Sequence, residues 1–292
     1  MCEHTYWNEP NRDMTFEEFK KIVDQFPKLK WIGLTGIGES FLNKDFMKML
    51  EYVKSKNIFV ELYDNLFYAN EEILKRLVEL ELDKLFISTV GATKETYEKI
   101  MVKSNFERVV KNIRTLCGLK KQMDAHFPEI EFHYIVTKLN VHEMMPFLEF
   151  AHSFGEQGIK VKFTRMLHTF KEVEYLFTEV PKSMVEDIKR KGKELNLKVD
   201  WSADVPRTKP SITKCTEWIM PFIFVTGYVV PCCAGNEANR REFQKEYALG
   251  NIFEEPFKEI WHGEKYENFR KMLREGQIPK QCRDCPLYEA KK

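Results

Sequence analysis

A regular exchange of short apolar runs for amphipathic helices fills the first two-thirds of the chain and constrains its fold more than any other feature. The runs at 31–34, 59–63, 85–88, 130–136 and 159–163 read as five strands. Helical patterns over about 43–56, 71–80, 93–101, 106–119 and 141–154 lie between them. Strands that alternate with helices pair in parallel, so this region is expected to form a parallel barrel or open α/β sheet. Thr15 and Glu18 have the spacing of a capping box, opening a further helix whose apolar face is Phe16, Phe19, Ile22 and Val23. Asn43 is placed as N-cap of the helix that follows the first strand. Before Thr15 stands a polar, irregular stretch, 2–14, where a parallel barrel would begin with a strand. The expected architecture is therefore a parallel α/β sheet, open or closed; as a barrel it would be a partial (β/α)6 type lacking its first strand.

A helix rich in Lys and Glu over about 181–196 ends this region, and the composition changes after Trp201. Residues 202–213, with Pro206 and Pro210, read as a linker. The expected domains are 1–200 and a small Cys-rich α+β domain, 201–292. That second domain carries a hairpin signal: runs at 222–225 and 228–231 around Thr226-Gly227. A chain of 292 residues with 23 Phe and 11 Tyr can fill a sizeable core. Its 46 Lys+Arg and 45 Asp+Glu leave a net charge of +1, which provides no field for holding a polyanion and argues against general nucleic-acid binding. No apolar run approaches the roughly 18 residues of a membrane helix. With no secretion pattern in the first residues, a cytoplasmic location is expected.

The cysteines carry the chemistry. There are seven, an odd number, and without an export signal that favours metal ligation over disulfides. Cys117 sits between apolar positions of a helix and reads as a core thiol. Cys215, Cys232, Cys233, Cys282 and Cys285 fall in the second domain. Cys282 and Cys285 form a CxxC pair, whose spacing lets two thiolates reach one metal centre from a tight turn. The Gly227 hairpin would bring Cys215 and Cys232 together. Cys233 would point to the opposite face from Cys232, and the spacing from Gly227 favours Cys232 as the ligand. Four thiolates from two loops suit either a [4Fe–4S] cluster or an all-thiolate zinc site.

This arrangement resembles the SPASM/twitch extension of radical S-adenosylmethionine (SAM) enzymes, and Gly250-Asn251-Ile252 with Glu259-Ile260-Trp261 resembles its GN…EIW stretch. The full pattern has further cysteines after the CxxC. Here seven residues follow Cys285, so the resemblance implies one auxiliary [4Fe–4S] cluster on Cys215, Cys232, Cys282 and Cys285. The first part resembles the same superfamily. Met1-Cys2-Glu3-His4 looks like the end of its CxxxCxxC motif, with Cys2 a remnant ligand of the catalytic [4Fe–4S] cluster and His4 beside the cluster loop. Two cysteines of that motif are absent, in keeping with the absent strand, so this chain alone is expected to be unable to cleave SAM. Gly36-Ile37-Gly38-Glu39-Ser40 resembles the GGEP motif, which implies that Gly36, Gly38 and Glu39 hold the amino group of SAM. Asp64-Asn65 resembles a Thr-Asn-Gly turn without its glycine. Ser88-Thr89-Val90-Gly91 resembles Ser-x-Asp-Gly without its acid. Both lie at C-terminal strand ends, where parallel barrels place active sites, and add Asn65 and Ser88 as SAM contacts. Asn140 and Glu143, after the 130–136 strand, are further candidates.

The resemblance implies one-electron cleavage of SAM, a 5′-deoxyadenosyl radical, and hydrogen abstraction from a peptide or small-molecule substrate. It also implies a low-potential donor such as ferredoxin or flavodoxin. Two alternatives stand beside it: a non-catalytic iron–sulfur electron-transfer or scaffold protein, and a barrel enzyme with a structural four-thiolate zinc site.

Overall fold

The computed structural model describes residues 5, 10–166, 172–202, 210–232, 241–283, 285, 288 and 289. Cys2, His4, Cys233 and most of the expected linker lie outside the described residues. Two compact units result, the first running over 30–205 and the second combining the preceding segment with 206–292. Helix α1 (Phe16–Val23) starts as its sequence dictates: the Thr15 hydroxyl accepts the Glu18 N–H at 3.2 Å, and the Glu18 carboxylate accepts the Thr15 N–H at 2.9 Å. It belongs to the second unit.

The first unit is a parallel sheet in sequential order: β1 (Trp31–Leu34), β2 (Phe59–Asp64), β3 (Lys84–Thr89), β4 (Glu129–Val136), β5 (Lys160–Arg165) and β6 (Lys198–Ser202). Its helices are α2 (Phe46–Ser55), α3 (Glu71–Glu79), α4 (Lys94–Ile100), α5 (Phe106–Gln122), α6 (Met144–His152) and α7 (Lys182–Glu194). The five expected strands are present, and β6 is a sixth. Its sequence, Lys-Val-Asp-Trp-Ser, alternates at the sheet edge and never forms an apolar run. Asn43 is not an N-cap. It closes a 3-10 turn over Ser40–Leu42 and accepts the Asp45 N–H at 2.9 Å, and Asp45 precedes α2. The 141–154 pattern divides into a 3-10 turn, Val141–Glu143, and α6.

The two faces of this sheet differ in chemistry. Leu62, Leu85, Ile87, Phe132, Tyr134, Val161 and Phe163 are buried on one face, and Phe147 of α6 meets Phe132, Tyr134 and Phe163 there. The alternate positions on β2 to β5 include Glu61, Tyr63, Lys84, Phe86, Ser88, Glu131, His133, Lys162 and Thr164. Parallel sheets ordinarily read apolar on both faces. On β2 to β5 this sheet departs from that pattern, with one apolar and one largely polar face.

The second unit contains α1, the antiparallel strands β7 (Phe222–Ile223), β8 (Tyr228–Val230) and β9 (Gly250–Asn251), and helices α8 (Arg241–Glu246), α9 (Phe257–His262) and α10 (Glu264–Arg274). Ile22 of α1 shares its core with Ile212, Val229, Leu249, Ile252, Ile260, Tyr266, Phe269 and Leu273. Backbone bonds reinforce the seat of α1. Gln25 Oε1 accepts the Phe257 N–H at 2.6 Å, Lys21 donates to the Phe253 carbonyl at 3.1 Å, and Arg12 to the Val225 carbonyl at 2.7 Å. Gly227 turns the hairpin at φ +87°, and a Cβ there would lie 2.3 Å from Asn251 Oδ1 and 2.5 Å from the Phe253 ring. Both the conformation and the packing demand glycine.

Candidate functional site

In the first unit, the turn after β1 places two glycines over open space. A Cβ on Gly36 or Gly38 would meet none of the described residues within 4 Å, and Gly38 has φ +139°. Both glycines are exposed, and the Gly38 conformation favours glycine. Glu39 follows in extended conformation, and the Asn65 side-chain amide donates to both its carboxylate oxygens, at 2.9 and 3.0 Å. Asn65 is aimed by its own turn, its Oδ1 accepting the Phe67 N–H at 2.8 Å. Leu66, standing where a glycine was expected, still adopts the left-handed conformation at φ +62° while fully buried. Asp64 supports that backbone by accepting the Leu66 N–H at 2.7 Å. Burial, and then the charge of Glu39, push the Asp64 carboxyl up to about 7.

Ser88 occupies the polar face of β3, opposite His133 of β4. The residues after it are fixed by the fold. Val90 is buried in the place of the expected acid, and its carbonyl accepts from Asn140 Nδ2 at 2.9 Å. Asn140 also donates to the Ile135 carbonyl and accepts the Thr137 N–H. Glu143 accepts from the Ala92 and Thr93 N–H groups and the Thr93 and Thr96 hydroxyls, at 2.5 to 3.2 Å, and so ties down the loop that enters α4, whose N-cap is Thr93. Those four donors hold its carboxyl below the ordinary range despite desolvation, the largest single influence and an opposing one. Asn140 and Glu143 are thus both engaged in hydrogen bonds inside the loops.

In the second unit, Cys215, Cys232, Cys282 and Cys285 are half-buried and free of disulfides, while Cys117 is buried in the first. Burial pushes the Cys282 thiol far above its usual range, and the charges of Cys232, Cys285 and Cys215 add to that. Cys215, Cys282 and Cys285 all pack against the core that contains Ile212 and Tyr266. Burial also raises Cys215, opposed by the Glu217 and Trp218 N–H groups that donate to its sulfur. Such N–H···S bonds favour the thiolate that a metal needs. The loop is braced beyond the sulfur: Trp218 Nε1–H donates to the Cys215 carbonyl at 2.9 Å, and the Tyr266 hydroxyl to the Trp218 carbonyl at 2.8 Å. Among the described residues, no three His, Cys, Asp or Glu side chains converge on a single-ion position. Three thiols against one apolar core, with N–H donors on the Cys215 sulfur and Cys232 in the same unit, suit soft metal ions.

Comparison with known families agrees with both halves of this description. The radical SAM superfamily model matches residues 1–151, and an iron–sulfur cluster-binding domain model, SPASM, matches 215–286. The chain belongs to the radical SAM superfamily. That membership brings a [4Fe–4S] cluster and SAM as cofactors and makes the protein an enzyme of that superfamily, and the SPASM domain brings auxiliary iron–sulfur chemistry. A radical SAM relative, the tungsten-containing aldehyde ferredoxin oxidoreductase cofactor-modifying protein of Pyrococcus furiosus, is 25% identical over 313 positions, covering 99% of this chain and 84% of its own. The AdoMet-dependent heme synthase of Methanosarcina barkeri is 25% identical over 307 positions, covering 94% and 80%. The crystal structure of Streptococcus suis SuiB bound to precursor peptide SuiA superposes with TM-score 0.67 at 11% identity, over 100% of this chain and 72% of that one. It shows the shared radical SAM fold. No described helix is long and apolar enough to cross a membrane.

Proposed function

We propose that this radical SAM enzyme abstracts a hydrogen atom from a peptide or small-molecule substrate and carries one auxiliary [4Fe–4S] cluster on Cys215, Cys232, Cys282 and Cys285. The presence of these four free cysteines in a unit of the iron–sulfur class, three of them packed against one core, is the observation that carries the reading. When bound, the catalytic cluster and SAM supply one-electron cleavage of a carbon–sulfur bond and the abstracting species. The chain supplies position. Glu39, held from behind by Asn65, presents a carboxylate to the amino group of SAM, and the backbone at Gly36 and Gly38 lets the cosubstrate approach closely. Ser88 is a further contact at the end of β3. Cys2, outside the described residues, is assigned to the catalytic cluster. A low-potential ferredoxin or flavodoxin is the electron donor. SuiB, which shares the fold, has been crystallised with a precursor peptide, which supports the peptide class. The heme synthase and the cofactor-modifying protein support small molecules.

The test is metal and sulfide analysis of protein purified without oxygen, followed by equilibrium dialysis with SAM. Iron with matching sulfide is expected, lost on Cys282→Ala with Cys285→Ala. Weaker SAM retention is expected on Asn65→Ala. About one zinc and no iron would overturn the cluster assignment.

A further inference from the structure

The polar face of the sheet carries a row of side chains of which the foregoing reading uses only Ser88. Ser88, His133, Lys162 and Asp200 are successive register partners across β3, β4, β5 and β6. Neighbouring strands stand about 4.8 Å apart, so the four lie side by side. Two residues beyond Lys162, the Thr164 hydroxyl is 3.0 Å from His133 Nε2. Tyr63 meets the imidazole edge-on at 5.8 Å between centroids and itself stacks on Phe86 at 4.0 Å, so the ring is also held from the β2 side. Lys84 and Glu131 of the same face neutralise each other at 2.9 Å. Lys162 and Asp200 are a looser pair, 3.8 Å apart, with Asp200 67% exposed.

This geometry has a polarity. Burial, and then the charge of Lys162, hold His133 down to about 4, which leaves it uncharged near neutrality. A neutral imidazole has one donor and one acceptor nitrogen. The Thr164 contact admits either direction; with the hydroxyl as donor to Nε2, the proton resides on Nδ1, and that N–H is the one that faces a ligand in the arrangement inferred below. One strand away stands the Lys162 ammonium, restrained only by a loose, solvent-screened pair. A fixed N–H donor beside a cation suits the two oxygens of a carboxylate.

We infer that His133 and Lys162, with Thr164 setting the imidazole tautomer, form a carboxylate-binding subsite one strand from Ser88. As the anchor of the reacting substrate, this subsite rests on the radical SAM reading above and on the assignment of Ser88 to SAM. As an anion site it stands by itself, since neither cluster nor SAM is needed to fill it. The recognised group is a carboxylate, carried either by an acidic side chain of a peptide or by a small organic acid.

The experiment is a nitrogen-15 NMR titration of the full chain labelled at histidine, near pH 7 and without SAM. The His133 signals are identified by their loss in His133→Gln. The probes are glutarate and, separately, acetyl-Gly-Glu-Gly-amide. Before addition, a proton on Nδ1 is expected. Addition is expected to shift Nδ1 saturably with at least one probe. Lys162→Gln is expected to weaken that binding about tenfold, the weight of one charge-assisted hydrogen bond. Asp200→Asn is expected to tighten it several-fold by freeing the ammonium. Both positions are solvent-accessible, and unaltered thermal melts exclude misfolding. The tighter probe identifies the source of the carboxylate, peptide or small acid. A proton on Nε2, no saturable shift with either probe, or equal affinity in Lys162→Gln would each overturn the subsite. Failure of the SAM reading registers separately, as absent SAM binding in a protein that still binds the carboxylate.

Discussion

Asp64 offers a sharp thermodynamic test because its burden can be read from the structure. It ends β2, is 6% exposed, and accepts N–H groups from Leu66, Ser40 and Asn65. Desolvation, then the charge of Glu39, raise its pKa from 3.8 to about 7. The folded state therefore keeps a proton that the unfolded state releases, so stability falls as pH rises from about 4 to about 7 and levels off above. Integrated between pH 5 and pH 8, that shift amounts to about 2–3 kcal/mol. Asp64→Asn removes the titration and retains Oδ1 as acceptor for the Leu66 N–H. Every other ionisable group is common to both proteins, so their difference isolates this one. Urea unfolding at the two pH values should show the variant gaining about 2–3 kcal/mol on the wild type between pH 5 and pH 8. A difference that stays constant with pH would refute the argument, because it would mean that Asp64 is ionised in the fold at no cost.

Other substitutions probe the remaining supports. Gly227→Ala should cost about 2 kcal/mol or more through a forbidden φ and a clash with Asn251 and Phe253, and should lower iron retention; a wild-type melt would contradict it. Glu143→Ala strands the four donors that it accepts from and should destabilise the first unit by about 3 kcal/mol, seen in a denaturant midpoint shift. Cys117, its thiol pushed up to about 12 by burial, should react with an aromatic disulfide reagent at pH 8 only as fast as the unit opens; immediate labelling would place it elsewhere.

The barrel region was legible because parallel strands buried against helices announce themselves as apolar runs. β6 was not, since an edge strand half in water has no such run, and β9 was not, since two residues carry no period. The capping box at Thr15 was readable because its bonds are local, while Asn43 misled for the same reason: it bonds within two residues, in a turn that precedes the helix. Leu66 shows where motif reading loses information. Its side chain hides a left-handed backbone that Asp64, an Asn112 bond to its carbonyl and complete burial sustain. Asn140 and Glu143 have the residue types of ligands, but their partners lie up to 51 positions away, beyond what spacing reveals. His133 and Lys162 belong to different strands and become neighbours only through register.

The seat of α1 decides how this protein can be taken apart. The chain passes from one compact unit to the other near residue 29 and returns near residue 206, so the iron–sulfur unit is not a contiguous cassette. A gene fragment covering 206–292 would lack Ile22 from its core and would leave the Phe257 amide without Gln25. Transplanting the unit onto another scaffold requires α1 to travel with it, joined through a new linker to residue 206 or supplied as a separate peptide.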